Sequence, residues 1–142
     1  MPPSASAARS DQPSIPAAPV RCPCGSGNSY DDCCGRLHRS DARAATAEQL
    51  MRSRYSAFAV GDAGYLLRTW HPRTRPDTIE LDTTVRWMRL DIDRTERGTL
   101  FDTEGVVEFT AHSRQDGRRA QQHEVSRFVK VSGAWLYLDA AD

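Results

Sequence analysis

Apolar and polar positions change rhythm twice along the chain. From Thr46 onward Leu50, Met51, Tyr55, Phe58 and Ala59 fall on an i, i+4, i+7 stripe, which predicts an amphipathic helix. Thr46 is placed to cap its N-terminus, and Gln49 occupies the reciprocal capping-box position. Gly61-Asp62 ends this helix and opens a shorter one from about Ala63 to Trp70, with Tyr65, Leu66 and Trp70 facing inward. His71-Pro72 stops it, because proline disfavours a helical residue before it. Beyond Pro76 the period shortens towards two. Thr84 to Asp93 alternates around Val85, Trp87, Leu90 and Ile92, and Val106 to His112 puts Val107, Phe109 and Ala111 on one face. Gln122 to Val131 groups Val125, Val129 and Val131, and Trp135 to Asp139 reads as a last short strand. Arg97-Gly98, Asp116-Gly117 and Ser132-Gly133 supply hairpin turns between them. Helices followed by an antiparallel meander predict an α+β fold, with the helices packed on one face of a bent sheet.

Upstream of the helices the pattern is different. Residues 1–20 are rich in Ala, Pro and Ser and read as a disordered tail. Residues 21–37 hold all four cysteines and form a small knuckle, a polar stretch over 38–45 links it onward, and 46–142 form the globular domain. No apolar run is long enough to span a membrane, and Met1 to Val20 lacks the apolar core of a secretory signal, so a cytoplasmic location is expected.

The cysteines change the picture most. Cys22, Cys24, Cys33 and Cys34 lie within thirteen residues, and four soft sulfurs suit tetrahedral zinc. Crossed disulfides are the alternative, since neither Cys22–Cys24 nor Cys33–Cys34 is well spaced for a bridge of its own. A reducing cytosol favours metal. Energetics agree. Between Arg21 and Ser40 only Tyr30 and Leu37 are sizeable apolar side chains. Burying each contributes about 1.5–3 kcal/mol, against about 1.5 kcal/mol per residue to order the segment. One structural zinc ion, worth about 10–16 kcal/mol in such sites, supplies most of the difference. Four thiolates leave no open coordination position, so this metal is a staple and not a catalyst.

Charge refines this only slightly. The formal net charge is zero, yet residues 21–76 hold nine Arg against five acids, and 77–142 hold nine Lys or Arg against thirteen acids. The excess is compatible with RNA or an acidic protein surface, but at only four charges it is more simply read as ordinary solvated faces. Arg52 and Arg54, on the first long helix, are candidates for docking the knuckle or an acidic partner through charge-assisted hydrogen bonds.

The run Cys22-Pro-Cys-Gly-Ser-Gly-x-x-Tyr30-x-x-Cys33-Cys34-Gly35 closely resembles the SEC-C zinc motif. That resemblance implies that all four cysteines are ligands and that the knuckle contacts a protein partner. Leu50-Met-Arg-Ser-Arg-Tyr55-Ser-Ala-Phe58, Tyr65-Leu-x-x-Thr-Trp70-His71-Pro72, Ser126-Arg127-Phe128 and Trp135-x-Tyr137-x-Asp139 together look like the bacterial YchJ-like family. The family pairs a SEC-C motif with a domain similar to nuclear transport factor 2, a cone of curved sheet and helices whose open end often forms a pocket. Its own activity is uncharacterised. Some proteins of this fold are isomerases or dehydratases, others only bind ligands, and some dimerise through the sheet, so a homodimer is a further expectation.

The residues able to serve such a pocket are Tyr55, Trp70, Arg127, Trp135 and Tyr137 as binding groups, with Ser126 nearby, and His71, Glu124 and Asp139 as acid–base candidates. Strand alternation puts Glu124, Ser126 and Phe128 on one face and Arg127 on the other, where Asp139 or Glu108 would partner it. His112 and His123 flank the Asp116-Gly117 turn and would face each other across it. No phosphate loop and no nucleophile triad can be read. The expected function is a zinc-containing, non-enzymatic protein- or RNA-binding module with a pocketed α+β domain; the alternative is an isomerase- or dehydratase-like enzyme working in the cone.

Overall fold

The computed structural model describes residues 20–141, so the tail expected over 1–20 lies, except for Val20, outside the described residues. Three helices precede four strands: α1 (Cys34–His38), α2 (Ala47–Val60), α3 (Ala63–Arg68), β1 (Arg86–Arg97), β2 (Glu104–Gln115), β3 (Arg118–Val131) and β4 (Ala134–Ala140). The strands form one antiparallel sheet in the order β1-β2-β3-β4, the meander expected.

Thr46 caps α2 as its sequence suggests: its Oγ1 accepts from the Gln49 amide at 3.0 Å. The reciprocal bond differs by one residue, because Gln49 Oε1 takes the amide of Ala45 at 2.6 Å. A third contact sets where the helix starts. The Ala47 amide donates to the carbonyl of Gly98 at 2.9 Å, tying the first turn of α2 to the end of β1. Leu50, Met51 and Tyr55 then pack on Leu90, Val107, Phe109, Phe128 and Trp135 of the sheet. Ala59, expected on this stripe, is exposed.

The strands run further than their alternation indicates. Beyond the helices both sheet faces meet water, so residues 118–123 are exposed throughout and carry no period-two signal. The pairing continues because Asp116 and Gly117 both take positive φ, 52° and 76°, in a two-residue turn that matches strand twist. Arg97-Gly98, by contrast, opens a longer connection held by Asp102, which accepts from the amide and hydroxyl of Thr99. Bulges between Trp87 and Arg89, and between Ile92 and Arg94, bend β1 over the core.

Two expected boundaries move. The second helix ends at Arg68 instead of Trp70. Tyr137 N donates to Thr69 O and His71 N to Tyr137 O, both at 2.8 Å, so the chain is drawn out alongside β4 before Pro72. The stretch read as a polar link from residue 38 begins with a buried histidine, discussed below.

The seam between α2 and the β1–β2 corner is tight. A Cβ on Gly105 would lie 2.5 Å from Gly98 Cα and 3.0 Å from Ala47 Cβ. We expect Gly105→Ala to lower stability by about 1–3 kcal/mol, read as a lower urea midpoint at unchanged slope; an unchanged midpoint would show that the seam can relax.

Candidate metal centre and cone cavity

The knuckle is built by backbone bonds that bring two cysteine pairs together. Cys22 N donates to Asn28 O, Gly25 N to Cys22 O, and the amides of Cys33 and Gly35 both donate to Tyr30 O. The four Sγ atoms all lie within 4.8 Å of one another, and none is in a disulfide. Such a group can hold a metal ion. Crowding drives the thiols apart in acidity: hydrogen bonding from Cys24 and Cys34 holds Cys22 far below the ordinary thiol range, and the same contacts push Cys24 and Cys34 up.

The knuckle rests on one side of α2. Arg52 Nη1 donates to Cys24 O at 2.8 Å while its Nε pairs with Glu48, and the Ser56 hydroxyl lies 3.5 Å from Cys22 Sγ. His38 completes the joint. Its Nε2 donates to Ser53 O at 2.8 Å, so Nδ1 is left as the acceptor for the Tyr30 hydroxyl at 2.5 Å. Arg68 Nη2 then donates to His38 O at 2.6 Å. Leu37, one residue earlier, shares a second core cluster with Ala57, Tyr65 and Leu66.

The other side of α2 walls a cavity of about 260 Å³. Tyr55, Phe58, Trp70, Trp87 and Phe109 give it an aromatic lining; Arg54, Glu124, Ser126, Tyr137 and Gln122 bring polar groups. Arg54 is 4% exposed. Its Nη1 donates to Leu66 O and Thr69 Oγ1, and the guanidinium lies over Trp70 and Tyr137 with 5.1 and 4.7 Å to the ring centroids. Burial lowers its pKa to about 10, which still leaves it charged at neutral pH. Glu124 Oε2 accepts from Ser126 Oγ at 2.6 Å and Tyr137 OH at 2.9 Å. Burial raises the Tyr55 phenol to about 12 and the Tyr137 phenol further.

Of the expected pocket residues, the fold brings Tyr55, Trp70, Glu124, Ser126 and Tyr137 together. The other four lie elsewhere. Arg127 pairs through two 2.6 Å bonds with Asp139, one of the two partners expected for it, but the pair is exposed on the opposite face of β3 from Ser126. Strand alternation makes that placement unavoidable. Trp135 is core, its Nε1 donating to Ala45 O. His71 is held by backbone pairing with Tyr137, and its Nδ1 accepts from Arg73 N. His112 and His123 do not face each other; they bond Asp91 and Glu108 respectively. Arg54, Trp87, Phe109 and Gln122 join the cavity without having been singled out for it. Arg54 and Arg52 look alike in sequence, yet two helical residues are about 200° apart, so they serve opposite sides of α2.

Comparison with known proteins agrees with this architecture. Residues 46–140 match the family described as YchJ, middle NTF2-like domain, and residues 21–36 match the SEC-C motif. The chain belongs to the YchJ family. A UPF0225 protein of Streptomyces coelicolor is 55% identical over 118 residues, covering 83% of this chain and 92% of that relative. One from Bordetella parapertussis is 47% identical over 127 residues, covering 87% and 94%. The YchJ-family fold is also found in a solution structure of a SEC-C motif containing protein from Rhodopseudomonas palustris. That chain has a TM-score of 0.74 and 35% identity, covering 85% of this chain and 97% of its own. A crystal structure of a SEC-C motif containing protein from Psychrobacter arcticus gives 0.69 and 29%, covering 83% and 80%.

His38 bridges knuckle and helix with both ring nitrogens used. Replacing it by alanine leaves Tyr30 OH without its acceptor and removes the bond to Ser53 O, an expected loss of about 1–3 kcal/mol, seen as a lower midpoint in a thermal melt. A melt indistinguishable from wild type would mean that water replaces both bonds.

Proposed function

We propose that this YchJ-family protein is a zinc-binding protein that works by binding and not by catalysis. One structural zinc ion is held by Cys22, Cys24, Cys33 and Cys34; the knuckle so closed steadies α2, and the cavity beyond α2 receives a ligand. The observation that carries the first step is the sulfur geometry. A tetrahedron with metal–sulfur bonds of about 2.3 Å has sulfur–sulfur edges of about 3.8 Å, and Cys24 Sγ lies 3.7 Å from Cys33 Sγ. Bound there, zinc supplies charge neutralisation for the thiolates, and a filled sphere keeps it out of substrate chemistry. A reducing bacterial cytoplasm is the compartment that suits such a site.

Charge use supports a protein over RNA as the partner of the knuckle surface. Arg39 is taken up by Asp31 and Asp41, Arg52 by Glu48 and Cys24 O, Arg68 by His38 O, and Arg54 is buried. These internal bonds engage four of the nine arginines of residues 21–76, side chains that a phosphate backbone would otherwise use. An enzymatic reading has one observation in its favour, the Glu124 carboxylate in the cavity with Ser126 and Tyr137 bonded to it. His71 and Asp139 do not line that cavity, so the acid–base set shrinks to Glu124.

Native mass spectrometry under reducing conditions should find one zinc per chain, and none in Cys33→Ser. Because Leu37 and His38 are part of the domain core, metal removal should also lower the melting temperature, by about 5–10 °C. A metal-free mass four protons light would mean two disulfides and overturn the proposal.

A further inference from the structure

We propose that the cavity walled by α2 is a site for a small free carboxylic acid with a flat apolar body, its carboxylate received by Arg54. The inference rests on the ligand-binding reading above and names the chemical class. Three observations carry it. Arg54 is a buried cation without an ion pair to a carboxylate among the described residues. Its two hydrogen bonds both leave from Nη1, so Nε and Nη2 have no acceptor among the described residues. Its charge is spread over two ring faces, an arrangement that holds a guanidinium in place without neutralising it. A fixed, desolvated guanidinium is the group that best receives a carboxylate in two parallel bonds.

The second observation is a pair of unpartnered donors. Among the cavity walls, Tyr55 OH and Trp70 Nε1 are buried with no hydrogen-bond partner among the described residues. Buried unpaired groups of this kind are rare in a finished core and call for an occupant or a water. Both can donate, as can the rest of the guanidinium, and Glu124 already has two donors of its own in Ser126 and Tyr137. A carboxylate, which is acceptor-only, would meet these unpartnered donors.

The third is shape. A volume of about 260 Å³ is below the usual range for drug-sized ligands and suits one or two fused rings. Tyr55 meets Trp87 edge-on at 5.8 Å and Phe58 lies 5.9 Å from the same indole, so this end of the cavity offers ring faces and edges to a planar guest.

The test is calorimetric titration of the full, metal-loaded chain with 2-naphthoate and with its neutral isostere 2-naphthamide, followed by nitrogen-15 correlation spectra of the indole groups. We expect naphthoate to bind at least about tenfold more tightly than the amide, the Trp70 indole signal to move, and Trp135 to stay. Arg54→Gln should erase the difference between the two probes. Tyr55→Phe tests the same site in a variant that keeps the fold: it removes an unpaired hydroxyl, so it should raise the melting temperature while weakening naphthoate several-fold. Equal binding of acid and amide would overturn the carboxylate while leaving the cavity a ligand site. Binding that moves Trp135 and not Trp70 would overturn the site. Binding of neither probe at millimolar concentration would overturn both this inference and the ligand-binding reading beneath it.

Discussion

The arrangement depends on burying α2 from two sides at once. A helix with only its sheet-facing stripe covered would need Leu50, Met51 and Tyr55 and little else. Here a second side is covered as well, so that Arg54, Ser53 and Ser56 sit almost wholly out of water on a helix of fourteen residues. Polar groups in that position are tolerated only if each finds a partner. Ser53 meets Tyr65 and its carbonyl meets His38, Ser56 meets Cys22, and Arg52 meets the Cys24 carbonyl. Arg54 is met from the other side, by Leu66 O and Thr69, whereas the partners of Ser56 and Arg52 come from the knuckle, which has too few apolar side chains to fold by itself. Each half therefore supplies what the other lacks: the knuckle satisfies the helix, and the helix gives the knuckle something to fold against.

The same geometry explains why the cavity lies where it does. Positions 52 and 56 turn to the sulfur cluster; 51, 54, 55 and 58 turn to the cavity. A shift or loosening of α2 on its knuckle side moves Arg54 relative to Trp70 and Tyr137. The second fixing point is at the helix start, where the Gly98 carbonyl holds the Ala47 amide. Anchored at one end by the sheet and along one side by the knuckle, α2 can carry a buried charge in a fixed orientation, which is what selective binding needs.

Much of this was legible in residue order, for local reasons. The cysteine spacing, the Thr46 cap, the positive-φ turns at Asp116-Gly117 and Ser132-Gly133, and the alternation of Val107, Phe109 and Ala111 each act over a few residues. Strand alternation also separated Ser126 from Arg127, and left Asp139 and Glu108 as the latter's candidate partners, of which the fold uses Asp139. What could not be read was set by long-range contact. Arg54 looks like any surface arginine until Trp70 and Tyr137 close over it. His38 looks like a linker residue until Tyr30 and Ser53 take its two nitrogens. The exposed ends of β2 and β3 carry no hydrophobic rhythm at all, and they pair because the turn between them leaves no other course.

The central claim, that metal-closed knuckle and α2 are one cooperative unit, is tested most directly by native-state hydrogen exchange of the intact chain with and without its metal. The account predicts that chelation strips protection from residues 21–38 and also from the α2 amides between Leu50 and Phe58, while the β2–β3 core keeps its own. Full protection of α2 in the metal-free chain, with exchange confined to the knuckle, would contradict it.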